Sequence, residues 1–185
     1  VWVRVVLFSL LSLLPFVIFL HSLHTPKMTS SPKMVLRNLE DLDYANTRQL
    51  MSERFGRYDL QAFIDMWHWR NFHASLCVEF MGAILGFAIV VENKLEYLVV
   101  SDKCEGQGFG RILLRYVIEQ LREQEYRSVT LVTANDPTLR RWYGRQGFEH
   151  SATSTDEDGI SGDTMVFRFR VKREAAKRHV HASTA

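Results

Sequence analysis

Several features that would narrow the function of this chain at once are missing from it. Cysteine is scarce: Cys77 and Cys104 are the only two, they lie far apart, and they form no CxxC pair. Neither a zinc site nor a disulfide framework is signalled, and a reducing compartment is the expectation. An excess of one charge is also missing. The 23 Lys and Arg residues face 21 Asp and Glu, a net charge of +2, and no long basic stripe crosses the middle of the chain. Nucleic acid is therefore not an expected partner. No internal repeat is visible, which removes repeat architectures. No metal is expected either, because the DxD spacing of Asp156 and Asp158 lacks the rest of a calcium loop.

What is present reads as one globular domain with additions at both ends. Apolar residues make up 46% of the 185 positions and charged residues 24%, the balance of a chain that can bury a sizeable core. The one long hydrophobic run is VVLFSLLSLLPFVIFL, the 16 residues Val5 to Leu20 behind Arg4. A bilayer-spanning helix wants about 20, and HSLHTPK offers no small-x-small cleavage site. Two readings stay open: a membrane anchor or uncleaved signal, or a leader outside the working protein, since the first Met is Met28. Any membrane contact is expected only through residues 1–23. The expected division is 1–33 as apolar segment and Pro/Ser linker, 34–172 as the domain, and 173–185 as a basic tail. The expected location is cytoplasmic, with or without an N-terminal anchor.

Within the domain, hydrophobic period sets the elements. MVLRNL from Met34 reads as a first strand, and residues 43–54 as a loose helix. Leu60, Phe63, Ile64 and Trp67 fall at helical offsets behind Asp59, a suitable N-cap. Ser75–Met81, Ala83–Glu92 and Leu95–Ser101 read as three strands joined by tight turns, an antiparallel meander. The middle one is apolar almost throughout, as a strand covered on both faces should be. A helix over Gly108 to about Gln124 carries a stripe of Phe109, Ile112, Leu113, Tyr116, Val117 and Leu121. Ser128–Ala134 is a buried strand. Asp136 and Pro137 start another helix, with Leu139, Trp142 and Tyr143 on its apolar face and Gly147 at its end. FEHSAT and GDTMVFRFRVK read as two last strands around the polar loop STDEDGISGD. The order β-α-α-β-β-β-α-β-α-β-β predicts a mixed α+β fold with a central, mostly antiparallel sheet flanked by helices.

The stretch VVSDKCEGQGFGRILLRYV carries the functional signal. Gly106, Gly108 and Gly110 sit where a strand gives way to a helix. A helix N-terminus offers unpaired N–H groups and partial positive charge, and glycines allow close approach, so an anion is expected there. A mononucleotide loop needs Gly-Lys-Ser/Thr, but Gly110 is followed by Arg111 and Ile112. A dinucleotide GxGxxG fails from Gly106, where the sixth residue is Arg111, and from Gly108, where it is Leu113. The pyrophosphate of coenzyme A remains.

The segment LVVSDKCEGQGFGRILL resembles the acyl-CoA loop of the GNAT N-acetyltransferase superfamily, Gln/Arg-x-x-Gly-x-Gly/Ala. Gly108 and Gly110 match the small positions, while Glu105 departs from the Gln/Arg. TLVTANDPTLRRWYGRQGFE supplies the family's second signature, with Asn135, Tyr143, Gly147 and Phe148 in register. The resemblance covers roughly Met34 to Lys172, with its specific motifs in the second half. It implies an acetyl-CoA-dependent N-acetyltransferase that passes acetyl directly to a primary amine: a small amine, a peptide N-terminus or a lysine. It implies that backbone groups of Gln107, Gly108, Phe109, Gly110 and Arg111 hold the pyrophosphate. It further implies that the strand Leu98, Val99, Val100 pairs with the pantetheine, that Asn135 contacts that arm, and that Tyr143 protonates the leaving thiolate. The alternative is a CoA-binding or CoA-sensing domain without transfer activity, or a membrane-tethered scaffold. Oligomeric state is left at monomer or homodimer.

Other residues are weaker candidates. Glu96 is the foremost candidate base, because period 2 places it on the face of Leu98 and Val100; Glu79, His68, His73 and His150 are alternatives, as is a water chain. Glu105 should repel a pyrophosphate unless its side chain turns to solvent or Arg111 offsets it. Trp67, Trp69 and Phe72 are expected in the core more than in an acceptor pocket. Asp156, Glu157, Asp158 and Asp163 read as a solvated loop that could attract a cationic amine. Cys104 lacks any signalled activating base.

Overall fold

The structure, a computed structural model, describes residues 34–56, 59–155 and 159–170. The apolar run Val5–Leu20, residues 156–158 and the basic tail lie outside the described residues. Among the described residues no helix is long and apolar enough to cross a membrane.

The elements follow the expected order. They are β1 Met34–Asn38, α1 Tyr44–Phe55, α2 Leu60–His68, β2 Leu76–Phe80, β3 Ala83–Val91, β4 Lys94–Val100, α3 Phe109–Glu123, β5 Ser128–Ala134, α4 Pro137–Arg145, β6 Glu149–Thr155 and β7 Ser161–Arg168. Seven strands form one sheet in the order β1-β2-β3-β4-β5-β7-β6. β1 to β4 are antiparallel neighbours, β4 and β5 are parallel, and β7 pairs antiparallel with both β5 and β6. A parallel pair needs a long crossover, and α3 supplies it. The two expected helix caps are in place: Asp59 accepts from the Ala62 amide at 2.9 Å and Asp136 from the Thr138 amide at 2.7 Å.

Helices cover the sheet on both faces, and β3 shows why its sequence is apolar throughout. Phe87 and Ile89 point into a core with Leu50 and Met51 of α1 and Phe63 and Trp67 of α2. Ala88 and Val90 point into the other core, with Leu113, Leu114, Val117 and Leu121 of α3. Each such aliphatic or aromatic side chain contributes about 1.5–3 kcal/mol by leaving water. The α3 stripe differs from the sequence reading in one respect. Ile112 is 42% exposed, while Leu114 and Ile118 are buried. The helix is rotated so that its buried face runs along 109, 113, 117 and 121 and widens to 114 and 118. Sequence alone could not orient it, since apolar residues occur on both flanks of the stripe.

The first strand is held by charge as well as by pairing. Arg37 on β1 donates to both carboxylate oxygens of Asp43, at 2.6 and 2.8 Å, and to Glu79 of β2 at 2.7 Å. The Asp43 side chain is almost fully buried. Arg37 hydrogen bonds hold its carboxyl below the usual aspartate range against the opposing effect of burial. A carboxylate with a lowered folded pKa stabilises the fold above its unfolded pKa, about 3.9, and loses that contribution as pH falls through the folded value. Denaturant titrations across the acid range should therefore show stability falling below about pH 4. In Asp43→Asn the neutral-pH stability should be lower and the acid loss shallower; an unchanged acid slope would remove Asp43 from the cause.

Candidate active site

The site begins with one extra residue in β4. Ile89 of β3 faces Tyr97 and Val90 faces Leu95, so Glu96 is left without an opposite number. Such a bulge bends a strand and increases its twist. β4 pairs with β5 only at Lys94 with Thr130 and Leu95 with Leu131, and the pairing stops at the bulge. Beyond it the strands part, although β4 runs on to Val100 and β5 to Ala134. The bulge also breaks the alternation. Leu95, Leu98 and Val100 all pack toward the α3 core, and Tyr97 and Val99 toward the α1–α2 core. The break falls between Leu95 and Glu96, so it is Leu95 that departs from the period, while the alternation from Tyr97 to Val100 is regular.

The gap opens into a cleft of about 730 Å³, lined by β4, β5, the glycine loop, the end of α1 and the inner face of α4. Of the residues singled out in sequence, it brings together Glu96, Leu98, Val99, Val100, Gly108, Phe109, Gly110, Arg111 and Tyr143. Gln107 and Asn135 do not line it. The Gln107 side chain donates to the Lys103 carbonyl at 3.2 Å, and Asn135 Oδ1 accepts from Arg140 at 2.9 Å. Trp67 belongs to the core, and Trp69 and Phe72 are exposed away from the cleft. Sequence reasoning missed Arg54, Phe55 and Arg145, all on the cleft wall. Arg54 and Phe55 come from a helix far away in sequence, so no local pattern could have found them.

The loop has the form an anion needs. Gly106 and Gly108 have φ of 75° and 87°, a region costly for residues with a Cβ. A Cβ built on either would meet nothing within 4 Å, so open space lies above both. The Gln107 amide donates to Cys104 and the Arg111 amide to Gly108. Among the described residues the amides of Gly106, Gly108, Phe109 and Gly110 have no acceptor. They are orphan donors at the head of a 15-residue helix, where the peptide dipoles favour negative charge.

Glu105 is not offset by Arg111. Arg54 Nη2 lies 3.6 Å from Glu105 Oε1, and Arg54 Nη1 pairs with Asp102. Among the described residues Arg111 and Arg145 have no ion-pair partner, so two cations on the cleft wall are uncommitted. Glu96, mostly buried, is paired with Lys94 at 2.9 Å.

Tyr143 is delivered by α4, and α4 is anchored from below. Asp163 on β7 is fully buried rather than part of a solvated loop, because it sits within the sheet opposite Thr153 of β6 and Thr133 of β5. It accepts from Thr153 at 2.7 Å, from Arg140 of α4 at 2.6 and 2.9 Å, and lies 3.2 Å from His150 Nε2. The Thr153 hydroxyl, then Arg140, hold its carboxyl below the usual range. His150 is thus part of this anchor and does not line the cleft. The Tyr143 ring meets Trp142 at 4.8 Å and Phe148 at 5.7 Å, edge to face. Burial alone pushes its phenol up to about 12. Cys77 is buried in the α1–α2 core and its thiol is pushed up to about 12 by burial, which keeps it unreactive.

A phenol raised this far stays protonated throughout the physiological range and can act as an acid but not as a base. Ultraviolet titration should show one tyrosine ionising near pH 12 that is absent from Tyr143→Phe. Identical titrations of the two proteins would mean that the ring is more solvated than its packing indicates.

The comparisons with known proteins agree with this geometry. A family model described as the acetyltransferase (GNAT) domain matches residues 47–169. The uncharacterised N-acetyltransferase ycf52 of Gracilaria tenuistipitata var. liui is 34% identical over 65 residues, 35% of this chain and only 32% of that protein. The crystal structure of Ard1 from Thermoplasma volcanium superposes with a TM-score of 0.66 at 19% identity, over 75% of this chain and 99% of that one. A GNAT family acetyltransferase from Elizabethkingia anophelis, crystallised with acetyl-CoA bound, gives 0.58 at 15% identity, over 74% and 98%. The match to the family model covers most of the described domain, the seven-stranded sheet flanked by helices is that of the GNAT fold, and the chain belongs to the GNAT acetyltransferase family.

Proposed function

We propose that the protein is an acetyl-CoA-dependent N-acetyltransferase that passes the acetyl group directly to a primary amine. One observation carries the reading: four unengaged amides at the head of α3 open onto a cleft that continues between the unpaired edges of β4 and β5. A diphosphate suits the amides, and Arg111 and Arg145 add positive charge in the same cleft. An extended amide-bearing arm suits a strand edge with no partner. The cleft volume is in the range of sites that enclose a small ligand.

Bound acetyl-CoA would supply the acetyl group, its thiol leaving as the amine nitrogen bonds to the carbonyl carbon. The chain's part is chiefly positioning, which alone can contribute about 7–11 kcal/mol. Leu98, Val99 and Val100 hold the arm, while the loop amides hold the phosphates. Tyr143, neutral and facing the cleft, gives its proton to the departing sulfur. Glu96, which also lines the cleft, accepts the proton from the amine once Lys94 releases it, directly or through water. Asn135, just past the end of β5 and outside the cleft lining, has its side-chain oxygen taken by Arg140 and would reach the arm only by leaving that bond. The acceptor is a small amine, a peptide N-terminus or a lysine side chain.

Calorimetric titration of acetyl-CoA into the full chain tests this first. Saturable binding near one to one, followed by acetylation of a primary amine, is the expected result. Binding with no turnover of any amine would favour a CoA-sensing domain, and no binding to folded protein at millimolar ligand would overturn both. Tyr143→Phe should slow turnover about 100-fold and leave acetyl-CoA affinity unchanged; unaltered turnover would remove Tyr143 from the reaction.

A further inference from the structure

We propose that Arg54 is a positioning residue for the glycine loop, drawing its two carboxylates toward α1 so that an acidic loop can still take a diphosphate. The inference rests on the acetyl-CoA reading above. The loop carries a conflict of charge. The loop leading to the helix head reads Asp102, Lys103, Cys104, Glu105, Gly106. Glu105 adjoins Gly106, whose amide is one of the four unengaged donors. A carboxylate turned toward that point would repel any phosphate the amides attract.

The structure resolves the conflict from outside the loop. Arg54 stands one residue from the end of α1, 48 positions before Asp102. One terminal nitrogen pairs with Asp102, and the other lies 3.6 Å from Glu105. A single planar guanidinium thus spans both acids, a geometry its fixed fork suits and a lysine would not reproduce. Arg54 is delivered from a firm base, because Leu50 and Met51 one turn earlier are buried in the α1–α2 core. Arg54 and Glu105 both line the cleft beside Gly106 and Gly108. Among the described residues neither Lys103 nor Arg111 pairs with either acid.

The pair is too exposed to be explained as a stability device. The side chains of Arg54, Asp102 and Glu105 are 36%, 63% and 68% exposed, and pairs of that kind contribute little to folding. Their consequence is local charge. With Arg54 in place, the formal charges of Arg54, Asp102, Lys103 and Glu105 cancel. Without it, the loop carries one net negative charge, and Glu105 is free to swing toward Gly106.

Four proteins test the proposal by calorimetry with acetyl-CoA: wild type, Arg54→Ala, Arg54→Lys, and Arg54→Ala combined with Asp102→Asn and Glu105→Gln. Arg54→Ala should bind about tenfold more weakly at low salt, and the deficit should shrink as salt is raised. Arg54→Lys should recover only part of the loss. The triple variant should bind within about twofold of wild type, because no carboxylate remains to be held. With an acceptor in hand, Arg54→Ala should raise KM for acetyl-CoA and leave kcat unchanged. Wild-type affinity in Arg54→Ala would overturn the proposal. So would a loss that the triple variant fails to recover, since Arg54 would then touch the ligand itself or support the fold. A wild type that binds no acetyl-CoA overturns the cofactor reading and this inference with it, which is distinct from a wild type that binds while Arg54→Ala binds equally well.

Discussion

The single unmatched residue in β4 is the constraint from which the site follows. A sheet tends to keep pairing wherever two strands run side by side, because unpaired backbone groups are costly once buried. Glu96 breaks the match with β3, β4 turns, and its contact with β5 ends after two residue pairs. Beyond that point the facing edges of β4 and β5 do not pair with each other. Every other part of the site is arranged around this opening. α3 begins at one end of it, α4 lines one side, and the end of α1 reaches in from the other face.

Holding a sheet open at its centre requires that both halves be secured independently. The N-terminal half is clamped between α1 and α2 on one face and α3 on the other, with β3 contributing alternate side chains to each core. Arg37 ties β1 to β2 and to the turn before α1 through Asp43 and Glu79. In the C-terminal half a buried polar anchor joins β6, β7 and α4. Asp163 gathers Thr153, Arg140 and His150 beneath the start of α4. Because buried charge is tolerated only when fully partnered, this cluster fixes α4 closely, and with it the Tyr143 ring over the cleft.

The electrostatics of the opening are balanced rather than uniformly positive. Backbone amides line the cleft together with Arg111 and Arg145, which have no ion-pair partner among the described residues. The acids of the loop are engaged by a third arginine from another element. A net charge of +2 over the whole chain gave no hint of this division, because it is a matter of placement and not of count.

The order of the elements was legible in the amino-acid sequence, as were the glycine loop and the place of Tyr143 on α4, because each depends on neighbours along the chain. Helical period, strand period, caps such as Asp59 and Asp136, and a glycine run before a helix are local facts. Tertiary structure alone decided which face α3 buries, leaving Ile112 exposed and Leu114 inside. It alone turned Asp163 from an apparent loop acid into the buried centre of an anchor, and brought Arg54 to Glu105. It alone placed the bulge at Glu96, which period counting passed over. The physical reason is the same in each case. A register shift, a rotation about a helix axis and an ion pair across 48 residues are set by what lies opposite, and a chain read in one dimension does not contain its opposite neighbours.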